Sequence, residues 1–291
     1  MIPSWIWLSL DWRQAELYLI CLFAKDVKLR EALQSSDVHR LVMGLARGIP
    51  PEQVTKQQRE VSKVLWYALI YSGFDIDSCI SSAYKSAKGT ISTDDLKSTL
   101  DIMLSEFSSL MPWATQTLFD YWDNEGRVYY LLNQSRKIIY PDYLKREEKA
   151  LRKSKEGRIA INTIGQASVG LLLKLLIAGI QKDEWLSSII KQPIPLFDAL
   201  YFLTKTETCA EVQAKVDCLA TPVLRLDGFE IRMRTEWSAS LVSWGDMKSI
   251  PDPILQEPRI FSWESKLPIP KLEYEGENIP VAALNPFARS S

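Results

Sequence analysis

The sequence predicts an α+β fold in which a mainly helical subdomain is inserted into a domain built on a small antiparallel sheet. The segment "IWLSL" at 6–10 alternates bulky and small side chains, a pattern typical of a strand. Helical patterns follow, and they dominate the chain from about residue 76 to 125. The segment "TPVLRLDGFEIRMRTEW" at 221–237 then predicts two strands around Asp227-Gly228, because Asp-Gly between apolar runs favours a hairpin.

The other elements are predicted in order along the chain. Apolar residues recur at helical spacing over 15–34, and Pro-Pro-Glu opens a long helix over 51–72. Residues 128–141 predict a short hairpin with Asn-Gln-Ser at its turn. A charged, mostly basic stretch at 143–158 precedes a long apolar helix over 159–180. Its apolar run is broken by a lysine and falls short of the roughly 20 residues that span a bilayer, so we expect a buried helix and no membrane partner.

Composition narrows the class of protein. The chain has 291 residues and a net charge of -1, so any nucleic-acid surface must be a local patch. Its four cysteines form no metal-binding pattern such as CxxC. We find no secretory leader and therefore expect reduced thiols and a cytoplasmic location.

One predicted helix carries an unusual stripe of side chains. In "QQREVSKVLWYALIYSG", Arg59, Lys63, Tyr67 and Tyr71 follow each other at intervals of four residues, which places them along one side of a helix. Two cations followed by two rings would suit a nucleotide lying along the helix, with the cations on phosphates and the rings on a sugar or base. The alternative is a solvated cationic turn followed by aromatic core packing.

Three other patterns carry polar residues at informative places. Asp11 comes at the end of a strand just before a helix, where a carboxylate can bind a divalent metal or simply cap the helix. Asp227 alone is typical of a turn. Arg158, Asn162 and Gln166 lie four residues apart on an otherwise apolar helix, and base edges or phosphates would satisfy them.

Taken in order, these segments resemble the polymerase domain of family A DNA polymerases, the DNA polymerase I type. "DWRQAEL" resembles DYSQIEL, "DVHR" resembles DIHR, and "REVSKVLWYALIYSG" resembles RRxAKxxNFGxxYG. "GRIAINTIGQ" resembles ERAAINAPIQG, and "LDG" stands where the family has HDE. The resemblance covers roughly residues 5 to 235, nearly all of the family's fingers and palm.

The resemblance implies a role for each matching residue. Asp11 and Asp227, with the carbonyl of Trp12, would hold two Mg²⁺ ions, and Lys63 would donate a proton to the pyrophosphate. Glu16 would exclude a ribose 2′-hydroxyl. Residues that would contact the deoxynucleoside triphosphate are Gln14, Glu16, His39, Arg59, Lys63, Tyr67 and Tyr71, and those that would contact primer-template DNA are Arg158, Asn162 and Gln166.

The resemblance also implies an organisation of the chain. Residues 1–36 and 159–249 would form the palm, and residues 37–158 the fingers with a connecting hairpin and basic helix. Residues 250–291 lie beyond the family match; they are rich in proline and poor in periodicity, which predicts a tail that is extended on the surface or bound to something else. In the family the thumb precedes the first matching motif, so we expect it to be absent from this chain. We therefore expect a phage-type split polymerase, in which a second polypeptide supplies the thumb, the exonuclease and the rest of the palm.

The sequence departs from the family at several motif positions. Leu226 and Gly228 replace the His and Glu that flank the second aspartate, and Glu230 is a weak substitute. Tyr67 stands where many relatives have Phe, which predicts tolerance of chain-terminating dideoxynucleotides. The departures keep two alternatives open: a catalytically impaired DNA-binding or scaffolding relative, and half of a split single-subunit RNA polymerase. The basic stretch 143–158 is either a solvated helix face or a phosphate contact.

Overall fold

A computed structural model describes residues 4–35, 37–87, 91–253, 258–265, 271–274 and 277–280. The α+β prediction is confirmed, since helices alternate with mainly antiparallel sheets. The chain folds as two compact units. The first comprises residues 1–19, 131–133 and 166–291, and the second comprises residues 20–130 and 134–165.

The helices and strands are numbered here in chain order. The helices are α1 (Ala15–Ala24), α2 (Val27–Ser35), α3 (Val38–Arg47), α4 (Lys56–Tyr71), α5 (Ile76–Ser86), α6 (Thr93–Glu106), α7 (Leu110–Asp123), α8 (Glu148–Lys153), α9 (Lys155–Lys182), α10 (Glu184–Ile189) and α11 (Cys209–Ala220). The strands are β1 (Trp5–Trp12), β2 (Arg127–Tyr129), β3 (Ser135–Lys137), β4 (Lys191–Leu196), β5 (Ala199–Lys205), β6 (Val223–Leu226), β7 (Phe229–Arg232), β8 (Thr235–Ser240), β9 (Lys248–Ile250), β10 (Ile260–Trp263), β11 (Lys271–Tyr274) and β12 (Glu277–Pro280).

The main sheet of the first unit has the strand order β4-β5-β1-β8-β9, and all its neighbouring strands are antiparallel. The predicted first strand is β1, at the centre of this sheet. Leu8, Leu10 and Trp12 are buried on one face of β1, while Asp11 between them is exposed on the other. The alternation follows from the two-residue period of a strand, and it turns Asp11 away from the core.

A second sheet in the same unit has the order β12-β11-β10-β6-β7. The hairpin predicted around Asp227-Gly228 is confirmed as β6 and β7, and both turn residues have a positive φ. Strand β10 pairs with β6 in parallel, so part of the chain after residue 250 belongs to a sheet. The described strands β10, β11 and β12 have an extended backbone and pair within this sheet, while residues 254–257, 266–270, 275–276 and 281–291 of the expected tail lie outside the described part.

The second unit is mainly helical, and the starts of its helices follow from capping residues. Thr55 and Gln58 form a reciprocal capping box at the start of α4, and Asp37 caps α3. Gly48 ends α3 in the left-handed conformation that glycine adopts without strain. The predicted hairpin within 128–141 is present as β2 and β3.

Helix α9 contains the strongest apolar run of the sequence. Within the described residues it is the one helix long and apolar enough to cross a membrane, and 67% of that apolar stretch is buried inside the protein. Val169, Leu172, Leu176 and Ile180 are all buried. The prediction of a buried helix is thus confirmed.

Candidate active site

Asp11 lies where β1 meets the turn into α1, and it has a neighbour on each side in the sheet. In the register of the main sheet it is opposite Ala199 of β5 and opposite Glu236 of β8. Partial burial and then the charges of Asp198 and Glu236 raise the pKa of Asp11 from 3.8 to about 7. Asp11 is therefore a carboxylate in a strongly acidic surrounding, which a cation would relieve.

Asp198 belongs to the tight turn that joins β4 to β5. Leu196 ends β4 and Ala199 begins β5, so Phe197 and Asp198 form the turn between these paired strands. Phe197 has a φ of 56° and its side chain is 89% exposed. Because Ala199 is directly opposite Asp11, the preceding Asp198 lies at the same end of these two strands. Its charge acts on Asp11 and raises the pKa of that carboxyl.

Glu236 is held on the same face of the sheet by its two neighbours in β8. Thr235 and Trp237 are buried on the opposite face, where both donate to the buried carboxylate of Asp217, at 2.5 and 2.9 Å. Because side chains alternate along a strand, Glu236 must project towards the face of Asp11. The Nε of Arg13 is 3.3 Å from Glu236.

Asp227, the expected partner of Asp11, lies elsewhere in the first unit. It is in the turn of the second sheet, where its carboxylate accepts a hydrogen bond from the backbone N–H of Ser265 at 2.7 Å and another from the Ser265 hydroxyl. Its own N–H donates to the carbonyl of Trp263 at 3.1 Å. The expectation that Asp11 and Asp227 are brought together is corrected, because Asp198 and Glu236 are the carboxylates that act on Asp11.

Glu230, the weak substitute for a third carboxylate in the sequence, is engaged in another contact. Glu230 of β7 pairs with Arg225 across the hairpin at 3.0 Å, far along the chain from the turn at Asp198. The chain neighbours of Asp198 are Phe197 and Ala199, neither of which is acidic. The turn thus carries a single carboxylate.

Asp11, Asp198 and the Trp12 carbonyl are suitable ligands for Mg²⁺. This ion prefers oxygen ligands and is commonly bound by one or two carboxylates together with substrate phosphates. Within the described residues there is no group of three or more His, Cys, Asp or Glu side chains arranged to hold a metal. Two mutually repelling carboxylates and a carbonyl therefore fit a metal whose remaining ligands come from substrate and water.

The residues after Asp11 form a compact turn into α1. The Trp12 side chain is buried and donates from Nε1 to the Ala220 carbonyl at 2.7 Å, which leaves only its backbone for a ligand. Gln14 has a φ of 48°, and its carbonyl accepts the N–H groups of Leu17 and Tyr18. Glu16 is half-buried in the first turn of α1.

The stripe on α4 is present in the second unit. Arg59 donates from Nε to Asp37 at 2.6 Å, and its Nη1 is 3.2 Å from Glu60. His39 of α3 is buried, and burial lowers its pKa to about 4 despite the nearby charge of Asp37. Its Nδ1 has no hydrogen-bond partner in the described part of the chain, so the ring is a neutral, buried donor or acceptor.

The aromatic half of the stripe lines an open cavity of about 430 Å³ between α4 and α5. The rings of Tyr67 and Tyr71 are stacked, with centroids 6.0 Å apart and an interplanar angle of 17°. Tyr67 is half-buried and Tyr71 is 45% exposed, so they do not form a core. The cavity is also lined by Lys63 and Arg158 and by a row of hydroxyls from Ser78, Ser82 and Ser86.

The three polar residues of α9 differ in exposure. Arg158 is half-buried at the cavity and packs its side chain against Gly73. Asn162 is half-buried, and its Oδ1 has no protein partner among the described residues. Gln166 is exposed and belongs to the first unit, since the division of the chain falls at residue 165.

The basic stretch before α9 is partly structural. Arg152 is buried and donates to the carbonyls of Gly73 and Phe74 and to Glu148. Arg146 forms an ion pair with Asp123 at 2.6 Å. Arg152 therefore has a structural role in the second unit, whereas the Arg146 pair is exposed. Sequence reasoning missed the role of Arg152 because a charge run gives no sign of burial.

Comparison with known proteins shows the family to which the chain belongs. The family described as DNA polymerase family A matches residues 2–245. DNA polymerase I of Helicobacter pylori (strain ATCC 700392 / 26695) is 23% identical over 246 residues, which is 83% of this chain and 25% of that protein. DNA polymerase I of Pseudomonas aeruginosa is 28% identical over 182 residues, which is 62% of this chain and 18% of that protein. The chain spans a quarter or less of these curated relatives.

Among solved structures, the chain is similar to the polymerase domain of Pol1 from M. smegmatis, a structure in complex with DNA primer-template and dNTP. The TM-score is 0.63 at 18% sequence identity, over 81% of this chain and 39% of the other. The likeness supports a shared fold over the matched part.

Proposed function

The chain belongs to DNA polymerase family A, and from this we propose that it is the palm and fingers of a DNA-directed DNA polymerase. It would transfer deoxynucleotides to the 3′-hydroxyl of a primer, in the order set by a template. The observation that carries the proposal is the pair of carboxylates Asp11 and Asp198, placed at the same end of the paired strands β1 and β5.

In this proposal Asp11, Asp198 and the Trp12 carbonyl hold two Mg²⁺ ions. When bound, the ions would lower the pKa of the primer hydroxyl and neutralise charge on the triphosphate and the leaving pyrophosphate. The chain's own part is to bring two carboxylates together in a geometry set by the backbone pairing of β4, β5 and β1. The raised pKa of Asp11 means that metal binding also releases a proton near neutral pH.

The second unit supplies the groups for the triphosphate. Arg59 and Lys63 lie one helical turn apart on α4 and suit two successive phosphates. Lys63 is also the candidate proton donor to pyrophosphate. His39 is neutral at physiological pH because of its lowered pKa, so its part is a hydrogen bond and not a charge.

The stacked rings supply the surface for sugar and base. Tyr67 lies nearest the cations on α4 and would contact the sugar, whereas Tyr71 would contact a base at the open end of the cavity. Gln14 and Glu16 at the start of α1 would contact the sugar from the palm, with Glu16 excluding a 2′-hydroxyl. Arg158, Asn162 and Gln166 on α9 would contact the primer-template.

We also propose that a second polypeptide supplies the thumb and the remaining palm, as in a cytoplasmic, phage-type split enzyme. Apolar residues exposed on the main sheet support this partner. Trp5, Ile194 and Leu196 are each more than a third exposed, and β4 is exposed along its whole length. Co-purification of a defined partner with the tagged chain, lost when Trp5 and Ile194 are changed to Ser, would support it.

A catalytically impaired, DNA-binding relative is the second candidate. The observation that favours it is that Ala199, which has no carboxylate, lies directly opposite Asp11. If Asp198 takes the place of the aspartate in the family's HDE motif, Ala199 would take the place of its Glu. Such a protein would bind primer-template DNA through α9 without extending it. The two candidates differ in one measurable property, extension that depends on Asp11.

Primer extension with Mg²⁺ and four deoxynucleotides tests the proposal, using the chain alone and together with an extract of its source. Asp11→Ala is the control, because it removes a metal ligand from an exposed position. Extension that disappears in Asp11→Ala supports the polymerase. If the chain binds DNA but shows no Asp11-dependent extension, either alone or with the extract, the impaired relative is favoured.

A further inference from the structure

One carboxylate joins the first turns of two helices in the second unit. The Oδ1 of Asp37 accepts hydrogen bonds from the N–H groups of His39 and Arg40, at 3.0 and 3.3 Å, and thereby caps α3. Its Oδ2 accepts a hydrogen bond from Nε of Arg59 on α4, at 2.6 Å. Asp37 therefore contacts two of the residues proposed to bind the triphosphate, His39 and Arg59.

The geometry of the Arg59 contact matters for what the guanidinium can still bind. A guanidinium has five N–H donors in a planar fork, and Asp37 takes only the one on Nε. The terminal nitrogens keep donors for a phosphate, although Nη1 is also 3.2 Å from the exposed Glu60. An arginine fixed at Nε has already lost much of its rotamer freedom, so less entropy is lost when an anion binds.

Burial and charge show that the contact is formed between ionised groups. The side chains of Arg59 and Asp37 are 27% and 30% exposed, so both are largely shielded from water. Partial burial acts to raise the pKa of Asp37, but the hydrogen bond and charge of Arg59 outweigh it and hold the pKa below its usual range. The pair is therefore a charge-assisted hydrogen bond and not a passing surface contact.

We propose that Asp37 is a positioning residue that holds Arg59, and with it the first turn of α4, in the orientation that binds the triphosphate. The inference rests on the proposed function, since it assigns the orientation of a residue in that same site. A simpler possibility is that Asp37 only caps α3 and that its contact with Arg59 has no effect on nucleotide binding.

Asp37→Asn separates these two roles. Asparagine is as good a helix cap as aspartate, so α3 keeps its cap, but the negative charge beside Arg59 is lost. Glu60→Gln is the matched control, because it removes the other carboxylate beside Arg59 without touching α3. Arg59→Ala serves as the reference for complete loss of the guanidinium.

The measurement is the affinity of the full chain for a fluorescent deoxynucleoside triphosphate, mant-dATP with Mg²⁺, in the presence of primer-template. We expect Asp37→Asn to weaken binding about tenfold, the scale of one charge-assisted hydrogen bond, and Glu60→Gln less than about twofold. In the Arg59→Ala background, Asp37→Asn should have no further effect. If the chain with primer-template extends the primer, Asp37→Asn should raise the KM for the deoxynucleotide and change kcat little.

Each other outcome has a defined meaning. If Arg59→Ala weakens binding but Asp37→Asn does not, the positioning role is overturned and the proposed function stands. If Asp37→Asn weakens binding equally with and without Arg59, Asp37 acts only through α3 and the inference is again overturned. If Arg59→Ala leaves the affinity unchanged, or the chain binds no nucleotide, the proposed triphosphate site itself fails.

Discussion

Asp11 and Glu236 are directly opposite each other on β1 and β8, and both project from the face of the main sheet that is turned away from the core. On the other side of β1 the same position faces Ala199, which follows Asp198. Ala199 and Glu236 thus flank Asp11 from opposite strands, and of these two Glu236 carries a carboxylate. This arrangement makes the surrounding of Asp11 strongly acidic, and the first prediction depends on it.

The first prediction is that Asp11 makes the stability of the metal-free chain depend on pH. The pKa of Asp11 is raised to about 7 in the folded state, so its neutral form is favoured by folding. The neutral Asp11 carboxyl contributes fully to the stability of the fold below pH 3.8, and this stabilisation is lost as the pH rises to about 7. Asp11→Asn should therefore stabilise the metal-free chain at pH 8, by on the order of 1 kcal/mol after screening at this exposed site, and have no effect at pH 3.5.

Thermal unfolding in EDTA at the two pH values measures this difference. Adding Mg²⁺ at pH 8 should raise the Tm of the original chain more than that of Asp11→Asn, because the ion neutralises the charge that the variant lacks. Equal Tm values for the two proteins at pH 8 in EDTA would show that Asp11 is not held in an acidic surrounding.

The contact between Asp227 and Ser265 predicts a structural role for Asp227. Its carboxylate joins the β6–β7 turn to the end of β10. Asp227→Ala should lower the free energy of unfolding by about 1 kcal/mol, as should Ser265→Ala, and the double variant should lose less than the sum. Urea unfolding measures these values. Full additivity of the two changes would mean that the two side chains do not interact.

Tyr67 predicts tolerance of chain terminators. A phenol beside the sugar can supply a polar contact where a dideoxynucleotide lacks its 3′-hydroxyl, and Phe cannot. Tyr67→Phe should therefore reduce use of a dideoxynucleotide relative to the deoxynucleotide by about tenfold, the scale of one hydrogen bond. Competitive single-nucleotide extension measures the ratio. A ratio that is unchanged in the variant would remove Tyr67 from this role.

Glu16 predicts the choice of sugar. Its half-buried side chain in the first turn of α1 is expected to occupy the space of a ribose 2′-hydroxyl. Glu16→Ala should raise ribonucleotide incorporation at least about tenfold, with a smaller effect on deoxynucleotides. Gln14→Ala is the comparison from the same turn. Efficient ribonucleotide use by the unchanged chain would favour the related RNA polymerase instead.

Much of the fold could be predicted from the sequence, because strong local patterns agreed with it. The alternation in β1, the capping signals of α4 and the Asp227-Gly228 turn all specify their elements locally. The stripe on α4 was also visible, since helical spacing alone places its four residues on one side. For the two tyrosines the sequence left a nucleotide-binding surface and core packing as alternatives. Their stacking beside an open cavity depends on tertiary packing, which helical spacing does not specify.

The second carboxylate was missed for a physical reason. Strand β4 contains Pro193 and Pro195, which argue against a strand within a sheet. Prolines are tolerated there because β4 is an edge strand. The Phe197-Asp198 turn also lacks glycine and reaches its positive φ without it, so Asp227-Gly228 gave the stronger hairpin signal. The available clue was an aspartate between two apolar runs soon after the long helix.

The most direct test compares Asp198→Asn with Asp227→Asn in primer extension with Mg²⁺, using whichever preparation of the original chain extends the primer. The account predicts that Asp198→Asn lowers the rate by about 100-fold or more, because it removes charge stabilisation at the reacting phosphate, while Asp227→Asn stays within about twofold. The reverse pattern, with Asp227→Asn inactive and Asp198→Asn active, would contradict the assignment of the catalytic pair to Asp11 and Asp198.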